Sequence, residues 1–282
     1  MNNIIILEPL GGLANRMRVI ASGLWLAGIL NKEVKLIWSL NTDLNCRFEE
    51  LFEPIKNIEI INKKFTYRFF RSTEKKKNIK KFIIRLINTI VATDYNILED
   101  GDIIKIKGGE LDIIALGRTN KTLYFRTCSE FGNNIPDLKQ FIPKPDIQQK
   151  INECCNKFND KTIGVHIRRT DHIIAIKQSP TELFINQMSD DLERNPEISF
   201  FLSTDDKQTE DQLKLQFGEK IMTYEKSYSR NSIQGIKDAV VDFYCLANTS
   251  KIYGSYWSSF SELSSKINGI NLERLKINNS IH

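Results

Sequence analysis

The sequence predicts an α/β protein of two doubly wound domains. Three observations carry that expectation: a strand, turn, helix, strand pattern at the start of the chain, regular strand-helix alternation from residue 147 onward, and a proline-punctuated stretch between them. A length of 282 residues agrees, because it exceeds the usual size of one domain.

Ile4, Ile5, Ile6 and Leu7 form a short apolar run that reads as a buried first strand. Gly11 and Gly12 supply a turn, and within residues 14–30 Met17, Ile20, Leu24, Ala27 and Gly28 recur at helical spacing. Residues 33–38 give a second strand, so the opening is a βαβ unit, which implies a parallel sheet with a right-handed crossover. Residues 75–91 read as a basic amphipathic helix, and 111–116 and 123–128 as strands. Pro136, Pro143 and Pro145 mark the linker, which divides the chain into domains 1–145 and 146–282. Beyond it the pattern gives helices at 147–158, 181–193, 207–217, 232–247 and 259–267, alternating with strands at 162–167, 198–202, Ile221-Met222 and 251–253.

Composition narrows the function classes. Forty basic against 35 acidic residues leave a formal charge of +5, too mild for a strongly basic nucleic-acid binder. Much of the excess sits in Lys75, Lys76, Lys77, Lys80, Lys81 and Arg85, a segment that reads as a solvated helix face, with an acceptor or membrane-surface patch as the alternative. A non-catalytic phosphate-binding role for this segment is a competing reading from another class. Cys46, Cys128, Cys154, Cys155 and Cys245 are odd in number and lack metal-ligand spacing, which suits a reducing compartment. Met1-Asn2-Asn3 lacks a basic region, and the apolar run after it is too short for a signal peptide or a membrane span. The expected location is therefore the cytoplasm, with peripheral association at the inner membrane face as an alternative.

Four segments carry candidate chemistry. In Gly164-Val165-His166-Ile167-Arg168-Arg169-Thr170-Asp171 an apolar strand ends in two arginines and an acid, at the sheet edge where open α/β folds bind ligands. Alternation sends Arg168 and Arg169 to opposite sides, so one can face a phosphate while the other pairs inward, with Asp171 as a partner. A structural salt-bridge knot is the competing reading. Ser203-Thr204-Asp205-Asp206 closes the next strand and opens a helix; capping by Thr204 or Asp205, a nucleotide contact and a metal clamp all remain open. Ser258, Ser259 and Ser261 beside a helix start offer an anion site, or a capping box from Ser259 to Glu262. The Gly11-Gly12 pair lacks the G-x-G-x-x-G spacing and no acid ends the second strand, which argues against a nicotinamide or flavin enzyme; Asn15 and Arg16 on the first helical turn instead read as a donor pair that could reach across a cleft.

In this order, His166-Ile167-Arg168-Arg169-Thr170-Asp171, Ser203-Thr204-Asp205-Asp206, Ser258-Ser259-Phe260-Ser261 and the opening Gly11-Gly12-Leu13-Ala14-Asn15-Arg16 resemble the GDP-fucose-dependent fucosyltransferases of the α1,2, α1,6 and protein-O type. The His-x-Arg-Arg-Thr-Asp form is most similar to the α1,6 and nodulation enzymes. The resemblance spans residues 160–268 and a patch at the N-terminus; residues 40–145 carry none. It implies a GT-B-like fold of two Rossmann-like domains facing a cleft, with donor binding in 146–282; acceptor recognition is expected in domain 1–145, within 40–145, and in the loop 172–179, where the resemblance fails. Carried onto matching positions, it implies that Arg168 holds the donor β-phosphate, that His166 contacts the nucleotide, and that Asp242 reads guanine. Asp205 and Asp206 would lie near the ribose or base, Ser258, Ser259 and Phe260 around the diphosphate, with Arg169, Gly12, Asn15 and Arg16 completing the donor contacts. The sequence departs from the α1,6 pattern after Asp171, so the base rests among His166, Asp171 and Glu182, with a carboxylate favoured and Glu182 aligned only across a gap. The expectation is inverting transfer to a glycan acceptor with no metal and no other cofactor.

Overall fold

The computed structural model describes residues 3–64, 95–132, 137–170 and 173–277, with backbone alone at 63, 64, 95 and 96. The basic segment 75–91, Pro136, Asp171, His172 and His282 lie outside the described residues. The chain divides into two compact units, Met1–Glu49 with Pro54–Gln140, and Glu50–Glu53 with Phe141–His282. The small inserted piece joins the second unit through Phe52, whose ring meets Phe141 edge-on at 5.5 Å, and through Glu53 N–H, which donates to Ile142 O at 2.8 Å. Among the described residues no helix is long and apolar enough to cross a membrane.

The first unit opens with β1 (Ile4–Pro9), α1 (Leu13–Leu30) and β2 (Glu33–Leu40). β1 and β2 pair in parallel, as a βαβ crossover requires. β3 (Ile58–Lys64), β4 (Tyr95–Leu98), α2 (Asp100–Lys107), α3 (Ile113–Thr119) and β5 (Thr122–Thr127) follow. The sheet order is β3-β2-β1-β5-β4, every pair parallel. Gly11 makes the turn before α1 in the left-handed region, φ +78°, and a Cβ there would stand 2.7 Å from Asn15 Nδ2. The expected strand at 111–116 is a correction: this segment is the start of α3. Asp112 accepts from the N–H groups of Ile114 and Ala115, a helix cap that a short apolar run does not reveal by its hydrophobicity.

The second unit runs α4 (Pro145–Cys155), β6 (Thr162–Ile167), α5 (Ile173–Gln178), α6 (Thr181–Arg194), β7 (Ser199–Thr204), α7 (Lys207–Phe217), β8 (Ile221–Met222), α8 (Ile233–Ala247), β9 (Lys251–Ser255), α9 (Ser259–Asn268) and β10 (Asn271–Leu275). Its order is β10-β9-β6-β7-β8, again all parallel. Central β6 is buried at every residue, as expected of a parallel strand with helices on both faces. Ile163, Val165 and Ile167 point to one face, into a cluster with Phe184 and Met188 of α6 and Leu213 of α7. Period-two alternation sends Gly164 and His166 to the opposite face, where α8 and α9 pack against each other.

This topology creates one distinctive edge. From β6 the chain moves outward through β7 and β8, then returns to the other side of β6 for β9 and β10. The carboxyl ends of β6 and β9 therefore flank the point where strand order reverses, which is where open α/β sheets bind ligands. Gly254 brings α9 close to that edge, since a Cβ there would fall 2.6 Å from Ser261 Oγ in the first turn of α9.

Candidate functional site

His166 sits on β6 facing α9, 7% exposed, with Nδ1 3.4 Å from Ser258 Oγ and its ring stacked on Phe260 at 5.0 Å. Burial lowers its pKa to about 3, and the neighbouring cations Arg168, Arg230 and Lys226 push the same way against the opposing field of Asp205. The imidazole is therefore neutral at physiological pH, a hydrogen-bonding and stacking group and not a cation. In linkage terms the unfolded chain, with an ordinary histidine pKa near 6.5, takes up a proton that the folded state refuses. His166 thus opposes acid stability: the cost is absent above about pH 6.5 and grows as pH falls toward 3. Thermal melts of His166→Gln between pH 4 and 8 should show a shallower loss of melting temperature on the acid side than wild type; an unchanged slope would mean that His166 is not buried neutral.

The two arginines after β6 part company as alternation requires. Arg169 turns inward and is committed: its guanidinium donates to Ser179 O at 2.9 Å, to Thr181 Oγ1 at 2.9 and 3.1 Å, and to Arg168 O at 2.9 Å. Burial lowers its pKa against the fields of Asp205, Glu182 and Asp206. Arg169, expected among the donor contacts, thus has its planar fork clasping the start of α6. Half-buried Arg168 stays at the strand end, where its N–H donates to Ser255 Oγ at 3.1 Å across the switch point between β6 and β9. Glu182 is exposed on the first turn of α6.

Both acids after β7 serve structure, and differently. Asp206 caps α7, accepting from Thr209 N–H at 2.8 Å and Thr209 Oγ1 at 2.6 Å, bonds that hold its carboxyl below the usual range. Asp206, expected near the ribose or base, is therefore the cap, and the capping residue is neither Thr204 nor Asp205. Asp205 instead gathers the strand ends: Oδ1 accepts from Arg169 N–H at 2.7 Å, and Oδ2 from Thr170 Oγ1 at 2.6 Å and Arg230 Nη2 at 3.0 Å.

Asp242 lies on α8, 5% exposed, directly beneath β7. Its Oδ2 accepts from Ser203 Oγ at 3.0 Å and from Lys226 Nζ at 2.8 Å, and burial raises its pKa while Lys226 and Ser203 oppose the shift. Oδ1 is buried with no hydrogen-bond partner among the described residues. The nearby Tyr224 hydroxyl donates to Asp238 O at 2.7 Å and also opposes the upward shift of Asp242. An unsatisfied buried carboxylate oxygen is uncommon and calls for a donor.

At the start of α9, Ser258 occupies the cap position but makes no side-chain cap bond, and Ser261 Oγ donates to Ser258 O at 3.4 Å. The Ser259–Glu262 box is not formed; Glu262 pairs instead with Lys266 at 2.8 Å and Arg274 at 3.3 Å. At this helix start Ser258 Oγ and the Phe260 ring lie against His166. Trp257, just before the cap, holds φ +57°, a rare conformation for a bulky residue.

In the first unit, Arg16, expected among the donor contacts, is engaged within the fold. It is fully buried, with Nε donating to Gly11 O at 2.8 Å, Nη1 to Ser39 O at 2.6 Å and Nη2 to Asn41 Oδ1 at 3.0 Å, its guanidinium 4.8 Å from the Trp38 ring centre. Burial lowers its pKa to about 10. Arg16 ties the Gly11 turn to the end of β2 and has no fork left for a ligand. Gly12 leads into α1 with extended backbone, and Asn15 keeps a buried, unpartnered Oδ1. No group of acidic, histidine or cysteine side chains able to hold a metal occurs among the described residues.

No protein-family model matches the chain, and no curated protein matches it in sequence. Solved structures do. Fucosyltransferase NodZ from Bradyrhizobium superposes with a TM-score of 0.59 at 18% identity, covering 94% of this chain and 92% of its own. A mutant of Arabidopsis thaliana FUT1 in complex with GDP gives 0.63 at 14% identity, covering 99% and 71%, and POFUT1 in complex with GDP-fucose gives 0.61 at 10%, covering 98% and 99%. The chain has the fucosyltransferase fold. Within this GT-B-like fold the resemblance read from the β6, β7 and α9 segments lands on one edge of one sheet. Sequence reasoning missed Lys226, Arg230 and Ser255, which bind Asp242, Asp205 and the Arg168 backbone at that edge.

Proposed function

We propose that the protein is an inverting, metal-independent glycosyltransferase that moves fucose from GDP-fucose to a hydroxyl of a glycan acceptor. The observation that supports this most is the gathering of Arg168, Lys226 and Arg230 around the carboxyl end of β6, beside the N-terminus of α9 and above a buried carboxylate with one unpaired oxygen. Cations and helix N–H groups suit a diphosphate, and a carboxylate acceptor suits guanine, whose N1–H and 2-amino group both donate.

In this reading the acceptor hydroxyl attacks the anomeric carbon from the side opposite the departing GDP. Positive charge grows on the sugar and negative charge on the bridging phosphate oxygen. Arg168 and the first turn of α9 stabilise that oxygen, so the role a divalent ion plays in other transferases falls to the guanidinium. Neutral His166 orients the nucleotide through its ring and the Ser258 hydroxyl, with Ser259 and Phe260 beside it. Asp205 acts on the nucleotide through Arg230. Asp171 or Glu182 takes the acceptor proton. Residues 1–145 supply acceptor recognition, and the enzyme works in the cytoplasm, peripherally at the membrane when its acceptor is lipid-linked.

The test uses GDP-fucose as sole substrate, with water as acceptor, in the presence of excess EDTA. Slow release of GDP should persist in chelator, and the fucose released should carry the anomeric configuration opposite to the donor's. Activity lost in EDTA and restored by magnesium or manganese would reverse the metal-independent reading, and retained configuration would reverse the inverting one.

A further inference from the structure

Outside the edge just described, three cysteines converge where α4 packs against α8. Cys155 Sγ lies 4.0 Å from Cys245 Sγ, and Cys154 is the next residue along α4. All are free thiols, and they differ in access: Cys245 is fully buried, Cys154 is 7% exposed, and Cys155 is half-buried. Hydrogen bonding with Cys245 lowers the pKa of Cys155 and of Cys154, whereas the buried Cys245 is held protonated. The pair thus has a more acidic, reachable thiol beside a buried one that stays as SH.

We infer that Cys155 and Cys245 form a reversible disulfide that links α4 to α8. The oxidant is a peroxide. The Cys155 thiolate attacks one peroxide oxygen, the O–O bond breaks, and Cys155 becomes a sulfenic acid while the second oxygen leaves as hydroxide and is protonated to water. The Cys245 sulfur then attacks the sulfenic sulfur; the S–S bond forms, the S–O bond breaks, and the Cys245 proton leaves with the oxygen as a second water. Two thiols lose two electrons and the peroxide gains them. Closing the gap from 4.0 Å to a bond of about 2 Å needs a side-chain rotation at one cysteine or a small approach of the helices. Cys245 stands one helical turn from Asp242 on α8, so the link forms directly beside the buried carboxylate.

The experiment treats the full-length protein with a few equivalents of hydrogen peroxide and maps the products by mass spectrometry, with no nucleotide present, so its result is independent of the proposed function. Expected is a loss of two hydrogens, a single 155–245 cross-linked peptide, and full reversal by dithiothreitol. Cys155→Ser and Cys245→Ser should each abolish that cross-link, and Cys154→Ser should keep it. Sulfinic acid at Cys155 without any cross-link, a link through Cys154 to Cys245, or persistence of the mass change in Cys155→Ser would overturn the inference. Far-ultraviolet circular dichroism of each variant separates loss of the link from loss of fold.

Discussion

Replacing Arg168 with alanine is expected to lower turnover of GDP-fucose on the order of a hundredfold to a thousandfold, the usual effect of deleting a preorganised donor at a developing oxyanion. Arg168 follows a strand buried along its whole length, so its backbone is fixed, and its N–H is held by Ser255 at 3.1 Å on the neighbouring strand. A guanidinium placed by a rigid strand end needs little reorganisation as charge builds on the leaving phosphate. Arg169 serves the fold directly, since its guanidinium holds Ser179 and Thr181. The melting temperature of Arg168→Ala reports what the side chain adds to the fold, and Arg168→Lys should recover a fraction of activity because a point charge replaces the bidentate fork. Near-normal turnover in Arg168→Ala, measured as GDP release, would remove this residue from the chemistry. Arg169→Ala makes the contrast, losing stability along with activity.

Asp242→Ala should destabilise the second unit by about 3–5 kcal/mol, because it strands the Lys226 ammonium in the interior. The two side chains are 3% and 8% exposed and 2.8 Å apart, so neither charge is solvated by water once its partner is gone. The same substitution should abolish preference for GDP over UDP and ADP. One residue is asked to do two things, and a double variant separates them. Asp242→Ala with Lys226→Met removes both charges and should regain much of the lost stability in urea melts, yet it should not regain guanine selectivity. Selectivity intact in a stable double variant would show that guanine is read elsewhere.

How far the sequence discloses this site depends on the range of the interactions that build it. The β6 segment was legible because an apolar run that ends abruptly in Arg168 and Arg169 can only be a buried strand reaching a sheet edge, and period two separates the pair. Which arginine faces inward is decided by Ser179 and Thr181, ten or more residues away. Asp206 and not Asp205 caps α7 because the helix begins at Lys207, and a shift of one residue exchanges the roles of adjacent acids. Arg16 carried a signal that was overlooked: it lies three residues after Leu13 and four before Ile20, on the apolar face of α1, where an arginine is buried and must spend its donors on carbonyls. Lys226 and Arg230 carried none, since the connection between β8 and α8 has no periodicity and is positioned by its pairing with Asp242 and Asp205. The edge strands β3 and β10 escaped for a related reason. β10 keeps few buried positions, so its pattern is set by pairing with β9 more than by a core-facing stripe.

In the proposed function the β6, β9 and α9 edge binds a guanosine diphosphate. Calorimetric titration of the protein with GDP, UDP and ADP under identical conditions tests it most directly. GDP should bind at least about tenfold more tightly than either, a difference of about 1.4 kcal/mol, with Arg168→Ala weakening the diphosphate contribution. Equal affinities for the three, or GDP binding indifferent to both Arg168 and Asp242, would contradict it.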